Sequence, residues 1–397
     1  IFEWEQRKFS DLIQTMRGGA SIAPDDYKDN GVATVPKGAI NSTGIADLSG
    51  SKYVSKEFFE KNKNSSVYSD ELVTSLRDLV PSAPNMGRIV KLKGKDQRYL
   101  MPQGVYNLIL QDEVDENFLI SFSNTSKFRK IISQEKNGST QVHIRNSEYL
   151  GISIDAPDAE EQNKIGSFFK KLDVTIALHQ RQLDNYKELK KTMLQQIFNK
   201  ELRFKDENGN DYPDWRKTLL KKVAKIYDGT HQTPNYKNKG IKFVSVENIK
   251  NLEGTTKYIS EEDYKKDFKE VPEFGDILMT RIGDVGTSTV VRTYEPLAYY
   301  VSLALIKCKN INSEYLNHYI EGEQFQNELW KKILHVAFPK KINKGDIGEC
   351  MIIYPSVEEQ QKIADFLSAI DKQLEKVEQK VELLKEQKKG LMQQMFI

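Results

Sequence analysis

Residues 157–198 read PDAEEQNKIGSFFKKLDVTIALHQRQLDNYKELKKTMLQQIF, and residues 355–396 read PSVEEQQKIADFLSAIDKQLEKVEQKVELLKEQKKGLMQQMF. The second stretch is the first displaced by 198 residues (355 − 157), about half of the 397-residue chain, with no gap along its length. Glu160, Glu161, Gln162, Lys164, Ile165, Phe168 and Asp173 return as Glu358, Glu359, Gln360, Lys362, Ile363, Phe366 and Asp371. Further along, Lys187, Glu188, Lys190, Lys191, Gln195, Gln196 and Phe198 return as Lys385, Glu386, Lys388, Lys389, Gln393, Gln394 and Phe396. Self-similarity at so long a period marks a duplicated structural unit. The repeated Gln and Lys residues are read as exposed positions that core packing alone does not require.

Each copy carries one apolar row. In the second copy it runs Ile363, Leu367, Ile370, Leu374, Val377, Val381, Leu384, Leu391 and Met395, at alternating spacings of four and three interrupted once at Lys388. The first copy has Ile165, Phe169, Leu172, Ile176, Leu183, Tyr186, Met193 and Ile197, with His179 and Lys190 filling the same row. This is the pattern of a coiled-coil seam, and Pro157 and Pro355 suit helix starts. Some forty helical residues make a rod of about 60 Å. Two rods with matching stripes bury them most simply against each other, and chain order then makes them antiparallel, with one globular head at each end. His179 reads as a structural seam residue, while Lys190 and Lys388 either set register or snorkel.

Hydrophobic residues make up 38% and charged residues 29% of the sequence, the balance of a soluble protein of two or three domains. No apolar run reaches the roughly 18 residues of a membrane span, and no secretory leader is visible. Cys308 and Cys350 stand alone, without metal-ligand spacing or a disulfide framework, so a cytoplasmic location is expected. The chain opens on Ile rather than Met, and its start is expected to lie within a longer chain. A net charge of +2 argues against holding DNA by bulk charge alone.

A second echo extends the duplication to the whole chain. Trp4, Phe9, Leu12 and Gly18 match Trp215, Leu220, Val223 and Gly229. The chain is therefore two rounds of one plan: a first domain over 1–156, a helix over 157–199, a polar linker and second domain over 200–354, and a helix over 355–397. Short apolar runs at 87–92, 105–110, 118–122 and 151–154, and at 242–246, 276–280, 288–292 and 298–307, predict strands between turn-rich clusters. A helical pattern covers 313–333. The fold class is α+β: two strand-rich, pseudo-repeated domains joined by two long antiparallel helices.

With its paired openings Pro157-Asp158-Ala159-Glu160-Glu161-Gln162-Asn163-Lys164-Ile165 and Pro355-Ser356-Val357-Glu358-Glu359-Gln360-Gln361-Lys362-Ile363, its repeated Trp segments, Thr230 to Pro234, Gly275-Asp276-Ile277-Leu278 and Gly283 to Gly286, the chain resembles the specificity subunit of type I restriction-modification systems. The resemblance spans essentially the whole chain. It implies two target-recognition domains that read the halves of an interrupted site in double-stranded DNA, a complex with two methyltransferase subunits and with restriction subunits, and no membrane. It also implies that this chain is non-catalytic and holds no cofactor, with S-adenosylmethionine, ATP and magnesium on the partners. If the rods set the distance between readers, four extra residues in one rod, about 6 Å of rise, lengthen the unread gap by one or two base pairs.

Base edges are read by Arg, Lys, Asn and Gln on loops, with phosphate contacts fixing register. In the second domain the candidates are Thr230, His231, Gln232, Thr233, Asn235, Tyr236, Lys237, Lys239, Arg281, Lys340, Lys341 and Lys344. In the first they are Arg17, Ser21, Tyr27, Lys28, Lys127, Arg129, Lys130, Lys136, Asn137, Ser139, Thr140 and Arg145. No phosphate-binding glycine loop and no adenine-methylation motif is present. Asp158, Glu188 and Lys190 mimic a nuclease set, but lie some 45 Å apart along one helix, too far to share a metal. The competing reading is a coiled-coil scaffold whose heads bind proteins.

Overall fold

Both repeats form single helices, Ala159–Phe198 and Val357–Met395. The structure, a computed structural model, describes residues 4–94, 97–335 and 337–396; residues 1–3 and 397, at the tips of the expected first and last segments, lie outside the described residues. The chain divides into a first unit, Ile1–Gln180 with Gln379–Ile397, and a second, Arg181–Glu378. Each unit thus holds part of both long helices.

Within each unit the helix stretches run antiparallel. In the first, Phe169 meets Phe396 at 5.5 Å between ring centroids, and Asp173, one turn on, meets Lys388, two turns back, at 2.5 Å. In the second, Lys190 meets Asp371 at 2.7 Å, while Ile197 shares a core with Ile363 and Leu367. Ile165, Phe169, Leu183, Ile197, Ile363, Leu367, Ile370, Val377, Val381 and Leu384 of the apolar row are buried. Leu172, Ile176, Tyr186, Met193, Leu374, Leu391 and Met395 are half-buried. Outside the row, Phe198, Met392 and Phe396 are buried too, because the helix ends leave the seam and enter the head cores. Each such Phe is worth about 1.5–3 kcal/mol in burial.

The heads repeat one sheet. In the first unit the order is Ile13–Gly18, Val105–Leu110, Leu72–Ser75 and Ile89–Lys91, all antiparallel. In the second it is Ala224–Asp228, Leu303–Cys308, Ile277–Thr280 and Ser288–Val290, again antiparallel. A ribbon closes each unit beside its long helix, Glu5–Lys8 with Ser153–Ala156 and Arg216–Leu219 with Met351–Tyr354. The heads therefore share a framework that their weak mutual identity concealed.

Five readings of the sequence need correction. Residues 118–122 belong to a helix, Glu116–Phe122, capped by Asp115, whose carboxylate accepts from Phe118 N at 2.8 Å; a short, wholly buried apolar run has no periodicity with which to tell strand from helix. The run 298–307 is two strands, Leu297–Tyr299 and Leu303–Cys308, and the pattern over 313–333 is two helices, Ser313–Glu321 and Glu323–Trp330, broken at Gly322. The repeated Gln162 and Gln360 are buried at 1% exposure rather than exposed. Finally, Gly229 answers to Gly19, not Gly18. Strand Ile13–Gly18 carries an irregularity between the partners of Ile109 and Leu110 that adds one residue relative to Ala224–Asp228. Past that point, Ala20 bridges Pro102 as Thr230 bridges Tyr300. A Cβ on Gly19 would lie 2.1 Å from Pro102 O, and one on Gly229 2.3 Å from Tyr299 O, so both turns require glycine.

Candidate nucleic-acid interface

The repeated Glu-Glu-Gln opening builds the joint between head and helix. In the second unit Glu359, fully buried, accepts from Trp215 Nε1 at 3.2 Å and from Arg203 at 2.8 and 3.2 Å. Gln360 donates to Pro355 O at 2.9 Å and accepts from Asn312 N at 2.8 Å, the residue that caps Ser313–Glu321. The first unit repeats the joint with Glu161 accepting from Trp4 at 3.4 Å and Gln162 bonded to Pro157 O and Asp115 N. The repeated Glu-Glu-Gln motif is thus the clamp that fixes each head on its helix.

Away from that clamp, the second head gathers its candidate residues around Asp228, at the end of strand Ala224–Asp228. Arg281 pairs with Asp228 and donates Nε to Ile342 O at 3.1 Å, and Lys344 Nζ stands 3.4 Å from Asp228. Arg281 is only 8% exposed, which corrects its reading as a free base-reading donor: its guanidinium is spent holding two loops together. One loop, from Gly229, exposes His231, Gln232, Thr233, Asn235, Tyr236, Lys237 and Lys239, with Thr230 half-buried at its root. Tyr236 lies edge-on to Phe243 and under Lys257. The other loop returns through Lys340 and Lys341, both exposed, and bridges Ile282 at Lys341.

In the first head the equivalent strand pair is Arg77–Asp78 with Val142–His143. A cleft there is lined by Lys37, Ser75, Arg77, Asn85, Gln103 and Gln141, among others. Asn137, Ser139, Thr140 and Arg145 border this strand pair and are exposed, as are Ser21 and Lys28 near the Gly19 turn, where Tyr27 is half-buried. Lys136 is half-buried and donates to Pro81 O at 2.6 Å. Arg17 is engaged with Asn107 at 2.7 Å, and Lys127 with Asp155 at 2.7 Å. Arg129 is turned inward, donating to Ala83 O and Met86 O, and burial beside Arg88 pushes its pKa down to about 10; it is a structural pin rather than a free donor. Lys130 is exposed on the same helix. Sequence reasoning missed Lys37, Arg77, Asn85 and Gln103; the cleft forms from strands too short to be recognised individually.

Buried chemistry elsewhere is self-contained. His318, Glu321 and Asp371 have ligand atoms within 4.8 Å of one another, but Lys190 Nζ stands 2.7 Å from each carboxylate and supplies the cation. Burial pushes the thiols of Cys308 and Cys350 up to about 12, so both stay protonated at neutral pH. Among the described residues no helix is long and apolar enough to cross a membrane.

Two heads of one plan, each clamped to a copy of one helix and differing in their exposed loops, define a duplicated recognition protein. The model of the type I restriction modification DNA specificity domain matches residues 2–188 and 212–385. The chain belongs to that family and is a specificity subunit of type I restriction-modification. It is similar to the type I restriction enzyme MjaVIII specificity subunit of Methanocaldococcus jannaschii, 23% identical over 408 residues covering 98% of this chain and 91% of that protein. The putative MjaX specificity subunit of the same organism is 23% identical over 417 residues, covering 98% and 92%. Among solved structures, the crystal structure of the type I S subunit from M. genitalium matches with a TM-score of 0.67, 14% identity and coverage of 100% of this chain and 96% of that one. A chain from a structure addressing complex assembly and conformational transition of the type I restriction-modification system matches with a TM-score of 0.53, 16% identity, and coverage of 99% and 97%.

Proposed function

We propose that this chain reads a bipartite DNA site, one half with each head, and presents it to partner subunits that carry out the chemistry. The observation that carries this reading is the contrast between a framework repeated in both heads and the exposed side chains it presents, which differ between them. The Gly19 and Gly229 turns and the sheets behind them match. The loops they lead into share Pro24 with Pro234, Tyr27-Lys28 with Tyr236-Lys237 and Gly31 with Gly240, while Ser21 and Ile22 stand where the second head has His231 and Gln232. A protein with one mechanical task and two specificities has that distribution. Phosphate contacts fall to Lys340, Lys341 and Lys239, and base contacts to His231, Gln232, Asn235, Asn137 and Thr140.

The partners are two adenine methyltransferase subunits, which bring S-adenosylmethionine and flip the target base, and restriction subunits, which bring ATP and magnesium. The long helices offer the methyltransferases equivalent ground, since Phe168 and Phe366 occupy the same repeat position and are 43% and 36% exposed. The chain itself is non-catalytic and acts in the cytoplasm, where its DNA is. The test is competition gel-shift with reconstituted specificity and methyltransferase subunits, using DNA identified by methylome sequencing of a host that carries the system. Preference for a split site, with one half lost when either head's loops are exchanged, is expected. Absence of sequence preference in the presence of methyltransferase supports a protein scaffold instead.

A further inference from the structure

Phe338 is 103% exposed, the most exposed large hydrophobic side chain among the described residues. Yet it stands on a tightly held base. Leu334 N donates to Lys341 O at 2.9 Å and Ala337 N to Leu334 O at 3.2 Å; Gly283 N donates to Lys340 O at 2.8 Å and Ile342 N to Arg281 O at 3.0 Å. Pro339 follows the ring and stiffens the backbone beside it. Lys340 lies 4.6 Å over the ring of Trp330, whose edge meets His335 at 4.4 Å. Lys340 and Lys341 are exposed beside it, Lys331 is paired with Glu328 at 2.7 Å, and Trp330 and Leu334 on the same segment are exposed too, so the ring crowns an apolar point flanked by two lysines. A soluble surface does not need such a ring. Phosphates beside those lysines would place it against the interior of a duplex.

We propose that Phe338 is a wedge that enters the base stack at one step of the half-site read by the second head, with Lys340 and Lys341 gripping the flanking phosphates. This deepens the DNA-recognition reading and rests on it. Apolar wedges between base steps unstack and kink a duplex, and the cost is offset by contacts that the bend allows. Steps that unstack easily, such as TA and CA/TG, are favoured at that position. The first head has no counterpart: its equivalent connection runs Asn137-Gly138-Ser139-Thr140-Gln141 into Val142–His143, without an aromatic residue. Only one half of the target is therefore unstacked, which supplies an internal control.

The experiment uses the specificity subunit assembled with its methyltransferase subunits and target duplexes carrying 2-aminopurine at successive positions. With the unaltered complex, fluorescence rises at one step in the half-site of the second head and nowhere in the other half. F338A abolishes the rise and weakens specific binding about 10-fold or more, whereas F338W keeps both. An unchanged fluorescence profile and affinity in F338A overturns the wedge while leaving sequence recognition standing. Weaker assembly with methyltransferase in F338A, measured by sedimentation, with DNA contacts unchanged, overturns it in favour of a protein contact. No sequence preference in the unaltered complex sinks both the wedge and the reading beneath it.

Discussion

Lys388 Nζ stands 2.5 Å from Asp173 Oδ1, so a lysine of the second helix copy answers an aspartate of the first. The repeat partner of Lys388 is Lys190 and that of Asp173 is Asp371, and these also meet, at 2.7 Å. Each copy gives its lysine to the other copy's aspartate. The polar interruption of both apolar rows thus specifies which stretch faces which, the registry role that a buried polar group serves in coiled coils.

Breaking that pair will weaken the first unit. Burial holds the Asp173 carboxyl above its ordinary range against the pull of Lys388, so K388A leaves an acid that is already costly without its counter-ion. Because the side chains are 28% and 15% exposed, about 1–3 kcal/mol is expected, the scale of a buried group left unsatisfied. Urea denaturation of K388A, D173A and the double variant will show a coupling energy of at least about 0.5 kcal/mol. Additive losses would remove the registry role.

The second unit elaborates the pair with Glu321 and His318, which gives it a pH signature. Burial alone would raise the Glu321 carboxyl, but the His318 contact and the Lys190 charge together hold it below its ordinary value of 4.5. A depressed acid contributes stability that is present above its unfolded value and is lost as pH falls through the folded one. The stability difference between the unaltered chain and E321Q, measured by urea denaturation, will therefore be largest near neutral pH and shrink below 4.5. A difference that stays constant down to pH ~3 would contradict this sign.

The two head clamps differ in strength. Glu359 is fully buried and bonded by both Arg203 and Trp215, whereas Glu161 has a single 3.4 Å bond from Trp4. E359A takes the carboxylate from a buried indole N–H and from the half-buried Arg203 guanidinium, which keeps Tyr212 O and Pro213 O. About 2–3 kcal/mol of destabilisation is expected, the scale of hydrogen bonds to a charged group. E161A will cost about 1 kcal/mol, the loss of one neutral-donor bond. Chemical denaturation of both variants decides it, and equal losses would show that Arg203 contributes nothing.

Much of this was legible because long elements advertise themselves. The Ile165 to Ile197 and Ile363 to Met395 rows set the helices and their direction, and Trp4 with Trp215 exposed the second duplication. What stayed hidden was short or buried. Phe118 to Phe122 lacked periodicity, and one extra residue in strand Ile13–Gly18 shifted the glycine match from Gly19 to Gly18. The site suffered most, because its framework is strands of two to six residues and its charges choose partners only in three dimensions. Arg129 and Arg281 look like DNA ligands in sequence, and their inward bonds appear only once Ala83 O, Asp228 and Ile342 O are brought to them.

Phe168 and Phe366 occupy one repeat position on the two helices and both are exposed, so each is expected to seat one methyltransferase. Phe168→Asp and Phe366→Asp will each remove one copy from the complex in native mass spectrometry, and the double variant will remove both. Each substitution also gives up an edge contact, Phe168 with Phe169 and Phe366 with Phe204, so stability should fall by about 0.5–1.5 kcal/mol while the subunit stays folded. Complexes that keep both copies would place the contact elsewhere.

Loop and lysine variants should separate sequence reading from charge. Lys341 is exposed and bridges Ile282 through its backbone, so K341A removes the proposed phosphate contact without loosening the loop. Affinity should fall to a similar extent on specific and random DNA, and the slope of log K against log salt should shrink by about 1. Gln232→Ala acts on the other term. It lies on the exposed turn after Gly229, so its loss should cost about 1–3 kcal/mol on the preferred target and relax discrimination at one base pair of that half-site, with the salt slope unchanged. Fluorescence anisotropy over a salt series, with single-base variants of the target, distinguishes these outcomes. A salt-slope change in Gln232→Ala with discrimination intact would assign this turn to the phosphates and move base reading to the Lys340 loop.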